Sequence, residues 1–181
     1  GMGIPSQFIH RANPTPLTMF HVERSQAPYG MAITASHNPA VYNGIKIFSE
    51  GGRDADLELT QELERLAQEI LDEGQTIPSM SYEEALKEGL IEIIRPLNDY
   101  LDSILSTLDQ KTIRNSDLRL VFDPMFGVGE TPMLTLLYTL RCDVELIHGQ
   151  RDPLFGGRMP APTESTMAHL QNRVLEGGYD L

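Results

Sequence analysis

The 181-residue sequence predicts an α/β protein. Apolar residues recur at helical spacing in two long segments, and a strand–loop–helix–strand succession begins at Leu118. In addition, a short apolar run at Met31–Ile33, which predicts a buried strand, is followed at once by a polar loop. Hydrophobic residues make up 40% and charged residues 22% of the chain, an ordinary composition for a globular protein. Alternating strand and helix signals favour α/β domains over a helical bundle.

The first helical segment lies in the middle of the chain. Its apolar positions form one stripe at i, i+4, i+7, i+8, i+11 and i+12, made of Leu59, Leu63, Leu66, Ala67, Ile70 and Leu71. The acidic residues lie mainly off this stripe, which is typical of a solvated face. Gly74 is placed to end this helix, and Ser81 is placed to cap a short helix over Tyr82–Lys87.

The second helical segment follows Pro96, and its stripe consists of Leu97, Tyr100, Leu101, Ile104, Leu105 and Leu108. We place a domain boundary near Ile94–Pro96. A βαβ unit is predicted next, because Leu118–Asp123 and Asp143–His148 have the composition of strands. Between them Thr131-Pro132 opens a helix with its body at Met133–Leu140. Such a unit has a right-handed crossover.

The last part of the chain predicts one more helix. Thr163 is placed to cap it, and its apolar positions are Met167, Leu170, Val174 and Leu175. Gly177-Gly178 would end this helix, and Tyr179–Leu181 has the composition of a strand opening. A strand of three residues is short, and Gly1 before Met2 resembles a tag remnant, so we expect an excised fragment.

The net charge of −12 argues against a nucleic-acid partner. Most of this charge lies in residues 54–92, which carry twelve acids and two bases, whereas residues 1–53 carry two acids and four bases. The N-terminal segment can therefore suit an anionic ligand. No apolar run approaches the roughly 20 residues of a membrane helix, so no membrane partner is expected. A single cysteine, Cys142, excludes an internal disulfide and fits a cytoplasmic location. Its apolar context predicts a small buried side chain rather than a nucleophile.

The polar loop after Met31–Ile33 presents Ser36 at the carboxyl end of a strand, where open α/β sheets bind ligands. Pro39 and the pair Asn43-Gly44 constrain this loop. A constrained loop can hold a small hydroxyl exposed and fixed. The alternative is a turn in which serine and asparagine only satisfy their own backbone.

Other chemistries fit this loop less well. A serine hydrolase would have its serine in the pattern G-x-S-x-G, and Ser36 lacks these flanking glycines. In an extended chain the side chain of His37 should also point away from Ser36, which argues against a nucleophilic pair of the two. The phosphate-binding pattern G-x-x-x-x-G-K-[ST] is absent. A zinc site is not indicated, because the histidines lack ligand spacing: His10, His21, His37, His148 and His169. The four outside the loop are interpreted as surface or packing residues.

The stretch TASHNPAVYNGIKIF resembles the active-site loop of the α-D-phosphohexomutases, the phosphoglucomutase/phosphomannomutase family. Every defined position of the family pattern T-A-S-H-N-P-x-x-x-N-G-[IFY]-K is present. Three other blocks resemble family segments in the same order: NPTPL at residues 13–17, VFDPMFGVG at 121–129 and DPLFGGRMPAPTE at 152–164. The sequence MPAP departs slightly from the more common P-E-P.

The resemblance implies two three-layer α/β/α domains with mixed sheets. Residues 1–94 would be the C-terminal part of domain 1, which would be incomplete, and residues 95–181 would be domain 2. Ser36 would be the phosphoserine carrier, and its phosphate would bind Mg²⁺. His37 and Lys46 would assist proton transfer or stabilise charge, while Asn38 and Asn43 would shape the loop.

The implied reaction interconverts hexose 1-phosphate and hexose 6-phosphate, of glucose or mannose, through a hexose 1,6-bisphosphate. Glucose 1,6-bisphosphate would act as activator. The family's metal ligands lie in a D-G-D-x-D-R loop that follows a segment like GYDL, and this chain shows neither that loop nor the family's T-S-G-x-R-G-like segment. We therefore expect residues 1–181 alone to lack useful mutase activity, and to self-associate through an uncovered sheet edge.

Three alternatives stay open. A phosphoglucosamine mutase more often has S-A-S-H-N, so Thr34 favours a hexose. A non-catalytic module would bind a sugar phosphate reversibly without phosphorylation of Ser36. A serine hydrolase ranks third.

Overall fold

The computed structural model describes residues 2–181 and contains short strands in three sheets within that range. By contacts the chain divides into two units. The first comprises the described residues up to Met31 together with Lys46–Pro96, and the second comprises Ala32–Ile45 and Leu97–Leu181. The domain limits predicted from the sequence, 1–94 and 95–181, stay a prediction.

The elements up to residue 94 alternate strand and helix. In chain order they are β1 (Ser6–Ile9), α1 (Thr15–Ser25), β2 (Tyr29–Ile33), β3 (Ile45–Ser49), β4 (Arg53–Asp54), α2 (Leu57–Asp72), α3 (Tyr82–Lys87) and β5 (Ile91–Ile94). Strands β1 and β5 pair in parallel, with Ser6 opposite Ile91. A second sheet has the order β2-β3-β4, and β3 and β4 are antiparallel.

The core of the first unit lies where α1 packs on the second sheet. Leu17 of α1 and Phe48 of β3 are both 0% exposed, and Val22 is buried beside them. Gly30 of β2 allows this close approach, because a Cβ there would come within 2.3 Å of the Val22 side chain. Gly52, with a φ of +69°, also allows α1 to approach closely, because a Cβ there would lie 2.1 Å from the Met19 carbonyl oxygen.

The predicted burial of the strand Met31–Ile33 is wrong, although the strand itself is present as β2. Met31 is 68% and Ile33 77% exposed. The half-buried positions are Gly30 and Ala32 instead. Alternate residues of a strand face opposite sides. Gly30 faces α1, so the face that carries the large side chains is the outward one.

Helix α2 confirms the first predicted helix, and Asp56 caps it by accepting a hydrogen bond from the Leu59 N–H at 2.8 Å. Its apolar stripe is exposed rather than buried, with Leu63 at 37% and Leu66 at 41%. Helix α3 confirms the predicted cap, because Ser81 and Glu84 form a reciprocal capping box.

The second unit contains the predicted parallel strand–helix–strand unit. Its elements are α4 (Leu97–Thr107), α5 (Gln110–Arg114), β6 (Arg119–Phe122), α6 (Glu130–Thr139), β7 (Asp143–Leu146), a 3₁₀ turn (Phe155–Gly157) and α7 (Ala168–Leu175). Strands β6 and β7 pair in parallel, with Arg119 opposite Asp143 and Phe122 opposite Leu146. Leu120, Leu140 and Cys142 form the buried cluster.

Two predicted features of the second unit differ in detail. Thr163 does not cap α7, which begins at Ala168 after Met167. Its N–H donates instead to Oγ1 of the buried Thr166 at 2.8 Å, so the two threonines form a separate turn before the helix. The segment Tyr179–Leu181 has no strand assignment, yet it runs beside β6 through hydrogen bonds from the Asp180 N–H to Arg119 (2.8 Å) and from the Val121 N–H to Leu181 (3.1 Å).

Candidate active site

The Ser36 loop connects β2 to β3, and backbone hydrogen bonds define its shape. The Thr34 N–H donates to the Gly44 carbonyl at 2.9 Å, which closes the base of the loop. Asn43 accepts a hydrogen bond from the Gly44 N–H at 2.9 Å through its side-chain oxygen. Within the loop, the Asn38 N–H donates to the Ala35 carbonyl at 3.0 Å. The predicted constraint on this loop therefore comes from successive tight turns.

Ser36 itself has a left-handed backbone, with φ of 56°. A non-glycine residue in this region costs conformational energy, and such residues are frequent at functional sites. The Ser36 N–H donates to Thr34 Oγ1 at 3.0 Å, which holds the backbone in this conformation. The side chain is exposed. The loop thus displays the Ser36 hydroxyl, and the Thr34 side chain fixes the backbone of Ser36.

His37 contacts this hydroxyl directly. Ser36 Oγ lies 3.4 Å from His37 Nδ1. The expectation that the two side chains point apart is wrong, because it assumed an extended chain, and the positive φ of Ser36 removes that alternation. At this distance the imidazole nitrogen can accept the serine proton after a small approach.

Lys46 lies on β3 and is exposed. It belongs to the first unit, whereas Ser36 and His37 belong to the second. The structure therefore brings two of the three predicted catalytic residues together, and the role of Lys46 stays a prediction.

A metal site cannot be completed from the described residues. Within residues 2–181 no three His, Cys, Asp or Glu side chains lie close enough together to hold an ion. Ser36 can contribute one oxygen ligand, through its phosphate when phosphorylated, which leaves a divalent cation without its other protein ligands. The residues present do not fit Mg²⁺ by themselves, so no chemical step below is assigned to it.

A second group of chemically capable side chains was missed by the sequence analysis. Asp123 follows β6, and His148 follows β7, so both stand at the carboxyl ends of paired parallel strands. Asp123 Oδ2 lies 2.8 Å from His148 Nδ1, and His148 Nε2 lies 3.0 Å from His169 Nδ1. The signal that could have found the first pair is an Asp and a His that are each the last residue of a predicted strand.

Cys142 is buried, as predicted, and its burial raises the pKa of the thiol. A raised pKa disfavours the reactive thiolate. The residue therefore belongs to the core around Leu120 and Leu140.

The fold and the site define a class. The chain combines parallel-stranded α/β architecture with a loop that holds a serine hydroxyl exposed at the end of a strand. Two domain families match it: "Phosphoglucomutase/phosphomannomutase, alpha/beta/alpha domain I" over residues 1–73 and "Phosphoglucomutase/phosphomannomutase, alpha/beta/alpha domain II" over residues 98–181. The chain belongs to the α-D-phosphohexomutase family.

Individual relatives agree with this assignment. The chain is 33% identical to a phosphoglucosamine/phosphogalactosamine mutase of Sulfurisphaera tokodaii, over 93% of this chain and 36% of that protein. It is 30% identical to a phosphoglucomutase/phosphomannomutase of Thermococcus kodakarensis, over 92% of this chain and 35% of that protein. The chain therefore spans about a third of the length of these relatives.

A solved structure supports the fold. A phosphoglucomutase/phosphomannomutase family protein from Burkholderia thailandensis superposes with a TM-score of 0.69 at 20% identity, over 92% of this chain and 35% of that one.

Among the described residues, no helix has the length and apolarity needed to cross a membrane.

Proposed function

We propose that this chain carries the phosphoryl-accepting serine of a phosphohexomutase that interconverts the 1-phosphate and 6-phosphate of glucose or mannose. The observation that carries the proposal is the geometry of Ser36, whose exposed hydroxyl lies 3.4 Å from His37 Nδ1 on a strained loop. The loop lies in a family sequence block in which each defined position is occupied. The substrate is a hexose phosphate, and glucose 1,6-bisphosphate serves as activator.

The transfer to Ser36 requires positioning and charge stabilisation more than covalent chemistry. Ser36 Oγ forms a bond to phosphorus, and the bond between phosphorus and the sugar oxygen breaks. The Oγ proton goes to His37 Nδ1, and the departing sugar oxygen takes up a proton from solvent to become a hydroxyl. In the other half of the cycle the phosphoserine donates its phosphoryl group to the free hydroxyl of a hexose monophosphate, and the bond between phosphorus and Ser36 Oγ breaks. The hydroxyl loses its proton, Ser36 Oγ regains one from His37, and the product is the hexose 1,6-bisphosphate, whose other phosphate then passes to Ser36. The net result is exchange of the two phosphorylated positions.

Other parts of the proposal concern residues and conditions beyond this loop. Lys46 supplies a fixed positive charge to the transferring phosphoryl group. Mg²⁺ is the metal of the complete enzyme, which works in the cytoplasm. We expect no steady turnover from residues 1–181 alone, because the described residues gather no metal-binding group.

The test is incorporation of phosphate at residue 36. The chain is incubated with glucose 1,6-bisphosphate, with and without Mg²⁺, and analysed by intact mass and peptide mapping. We expect one phosphate on Ser36, none in Ser36→Ala, and undiminished labelling in Ser79→Ala, which removes another exposed serine. Phosphate on a different residue, or equal labelling of Ser36→Ala, would contradict the proposal.

A second candidate substrate is a hexosamine phosphate, since one of the relatives is a phosphoglucosamine/phosphogalactosamine mutase. Thr34 in T-A-S-H-N favours the hexose. Parallel labelling with glucose 1,6-bisphosphate and glucosamine 1,6-bisphosphate separates the two candidates. Faster labelling of Ser36 by the amino sugar would replace the hexose proposal with the hexosamine one.

A further inference from the structure

The carboxyl ends of β6 and β7 hold a line of three hydrogen-bonded side chains that the phosphoserine proposal does not use. Asp123 begins the line, and its side chain is 1% exposed. Its Oδ1 accepts the Met125 N–H at 2.7 Å, and its Oδ2 contacts His148 Nδ1 at 2.8 Å. His148 Nε2 contacts His169 Nδ1 at 3.0 Å, and His169 is exposed. The line therefore runs from a buried carboxylate to the surface.

The surroundings fix the central imidazole. The Phe126 ring packs on His148 with ring centroids 5.0 Å apart, and the Arg158 guanidinium lies 5.4 Å from the Phe126 centroid. The His169 ring meets His148 edge-on at 4.9 Å. The Phe126 N–H also donates to the His148 carbonyl at 3.0 Å, which ties the two strand ends together.

The backbone around this line is strained at several positions. Four non-glycine residues have left-handed φ values: Met125 (53°), Phe126 (63°), His148 (49°) and Phe155 (54°). Strain of this kind persists where the surrounding structure over-determines it and is frequent at ligand and active sites. The carboxyl ends of parallel strands are also where open α/β sheets bind ligands.

The partners dictate the positions of the hydrogens. An ionised carboxylate only accepts hydrogen bonds, so Asp123 requires the proton of His148 to be on Nδ1. Nε2 of a neutral His148 is then an acceptor, which requires the proton of His169 to be on Nδ1. This leaves Nε2 of His169 without a proton at the surface, with its lone pair available.

We propose that Asp123, His148 and His169 form a proton relay, with His169 Nε2 as a base that takes a proton from a hydroxyl-bearing molecule. When His169 Nε2 binds a proton, His169 releases its Nδ1 proton to His148 Nε2. The resulting imidazolium of His148 lies against the buried Asp123 carboxylate, which stabilises the positive charge. Asp123 and His148 are positioning residues, and His169 is the group that meets the ligand.

The relay is tested first by NMR on the unaltered chain. Long-range ¹H–¹⁵N correlation spectra distinguish the two tautomers of each histidine. We expect the Nδ1–H tautomer at both His148 and His169. The Nε2–H tautomer at His169 would overturn the proposal without the need for any variant.

Chemical reactivity supplies the second test, with diethyl pyrocarbonate as the probe. Unprotonated Nε2 of His169 attacks an acyl carbon of the reagent, and the C–O bond to the leaving ethyl carbonate breaks. Ethyl carbonate departs as an anion. The Nδ1 proton of His169 leaves through His148 to solvent, and ethyl carbonate takes up one proton from solvent as it decomposes to ethanol and carbon dioxide. Peptide mapping gives the labelling rate of His169 relative to His37, an exposed histidine outside the relay.

The decisive variant is Asp123→Asn, which keeps the size of the side chain. Its carbonyl oxygen can still accept the Met125 N–H, but its NH₂ group now faces His148 Nδ1. This reverses each hydrogen bond in the line and places a proton on His169 Nε2. We expect labelling of His169 to fall by about tenfold while labelling of His37 is unchanged.

The matched control is Asp143→Asn, at the opposite end of β7, where the side chain is 75% exposed. It should leave labelling of His169 unchanged. Equal labelling of His169 in the unaltered chain and in Asp123→Asn would overturn the relay. If Asp123→Asn does not fold, the tautomers of the unaltered chain decide the question alone.

Discussion

The Ser36 loop and the end of the β6–β7 sheet both follow strands and both contain left-handed non-glycine residues, but they hold their functional groups differently. Ser36 is exposed, and the contact of its hydroxyl with His37 is a long 3.4 Å. Asp123 is 1% exposed, and both its carboxylate oxygens accept hydrogen bonds. A hydroxyl that accepts an incoming group can thus be held exposed by the backbone geometry of its loop alone. A group that must stabilise charge needs burial and several partners.

The largest expected effect comes from removing the buried partner. Asp123→Ala leaves the Met125 N–H and His148 Nδ1 without their acceptor in a dry environment. Because unsatisfied buried donors cost about 1–3 kcal/mol each, we expect the free energy of unfolding to fall by about 3 kcal/mol. Urea denaturation followed by circular dichroism measures this change.

Ser36→Ala is the contrasting variant for that experiment. It removes an exposed hydroxyl with one long contact, so its free energy of unfolding should stay within about 0.5 kcal/mol of the unaltered chain. If Asp123→Ala and Ser36→Ala destabilise the chain equally, the proposed difference between the two regions is wrong.

A second prediction concerns Glu145 of β7 and its partners on α7 and in the C-terminal segment. Arg173 of α7 donates hydrogen bonds to both carboxylate oxygens of Glu145, and the Tyr179 hydroxyl donates to one of them. The Arg173 hydrogen bonds, followed by that of Tyr179, lower the pKa of Glu145 from 4.5 to about 2. The same hydrogen bond raises the pKa of Tyr179.

The sign of the pH dependence follows from this lowered pKa. The stabilisation from Glu145 is fully present above pH 4.5 and is lost as the pH falls towards about 2. Glu145→Gln should therefore flatten the decline of the urea midpoint between pH 4.5 and pH 2, relative to the unaltered chain. The exposed Glu164→Gln serves as control. Parallel pH profiles of Glu145→Gln and the unaltered chain would show that this ion pair contributes nothing.

The sequence identified which residues meet in the Ser36 loop better than it predicted the shape of the loop. The motif around Ser36 identified the hydroxyl and its neighbour His37, because residue types in a fixed order are visible in a sequence. The left-handed φ of 56° was not predicted, because it depends on the hydrogen bond from the Ser36 N–H to Thr34 Oγ1. The error about the direction of His37 follows from that omission.

Elements were predicted more reliably than their surroundings. The stripe of α2 predicted a helix correctly, since periodicity reports a common face, but that face is exposed at Leu63 and Leu66. Periodicity does not say which element, if any, covers the face. For the same reason Met31 of β2 was wrongly expected to be buried.

The sequence indicated only that Asp123 and His148 lie at strand ends, and no pattern connected either of them to His169. The members of this line are separated by 25 and 21 residues, and no local spacing rule connects them. Their contact depends on the parallel register of β6 and β7 and on the position of α7. Prediction of the two strands indicated where polar groups could meet, but not which side chains would pair.

The smallest expected effect distinguishes the backbone of the loop from its chemistry. Ser36→Gly and Ser36→Ala both remove the hydroxyl and its contact with His37, so neither can accept a phosphoryl group there. They differ in the cost of the left-handed backbone, which glycine adopts readily and alanine does not. We expect Ser36→Gly to have a free energy of unfolding about 0.5–1 kcal/mol higher than that of Ser36→Ala. Urea denaturation of the two variants side by side measures it. Equal stability would mean that the loop relaxes when the hydroxyl is lost, so that Ser36 Oγ, rather than the backbone hydrogen bonds, maintains the displayed conformation.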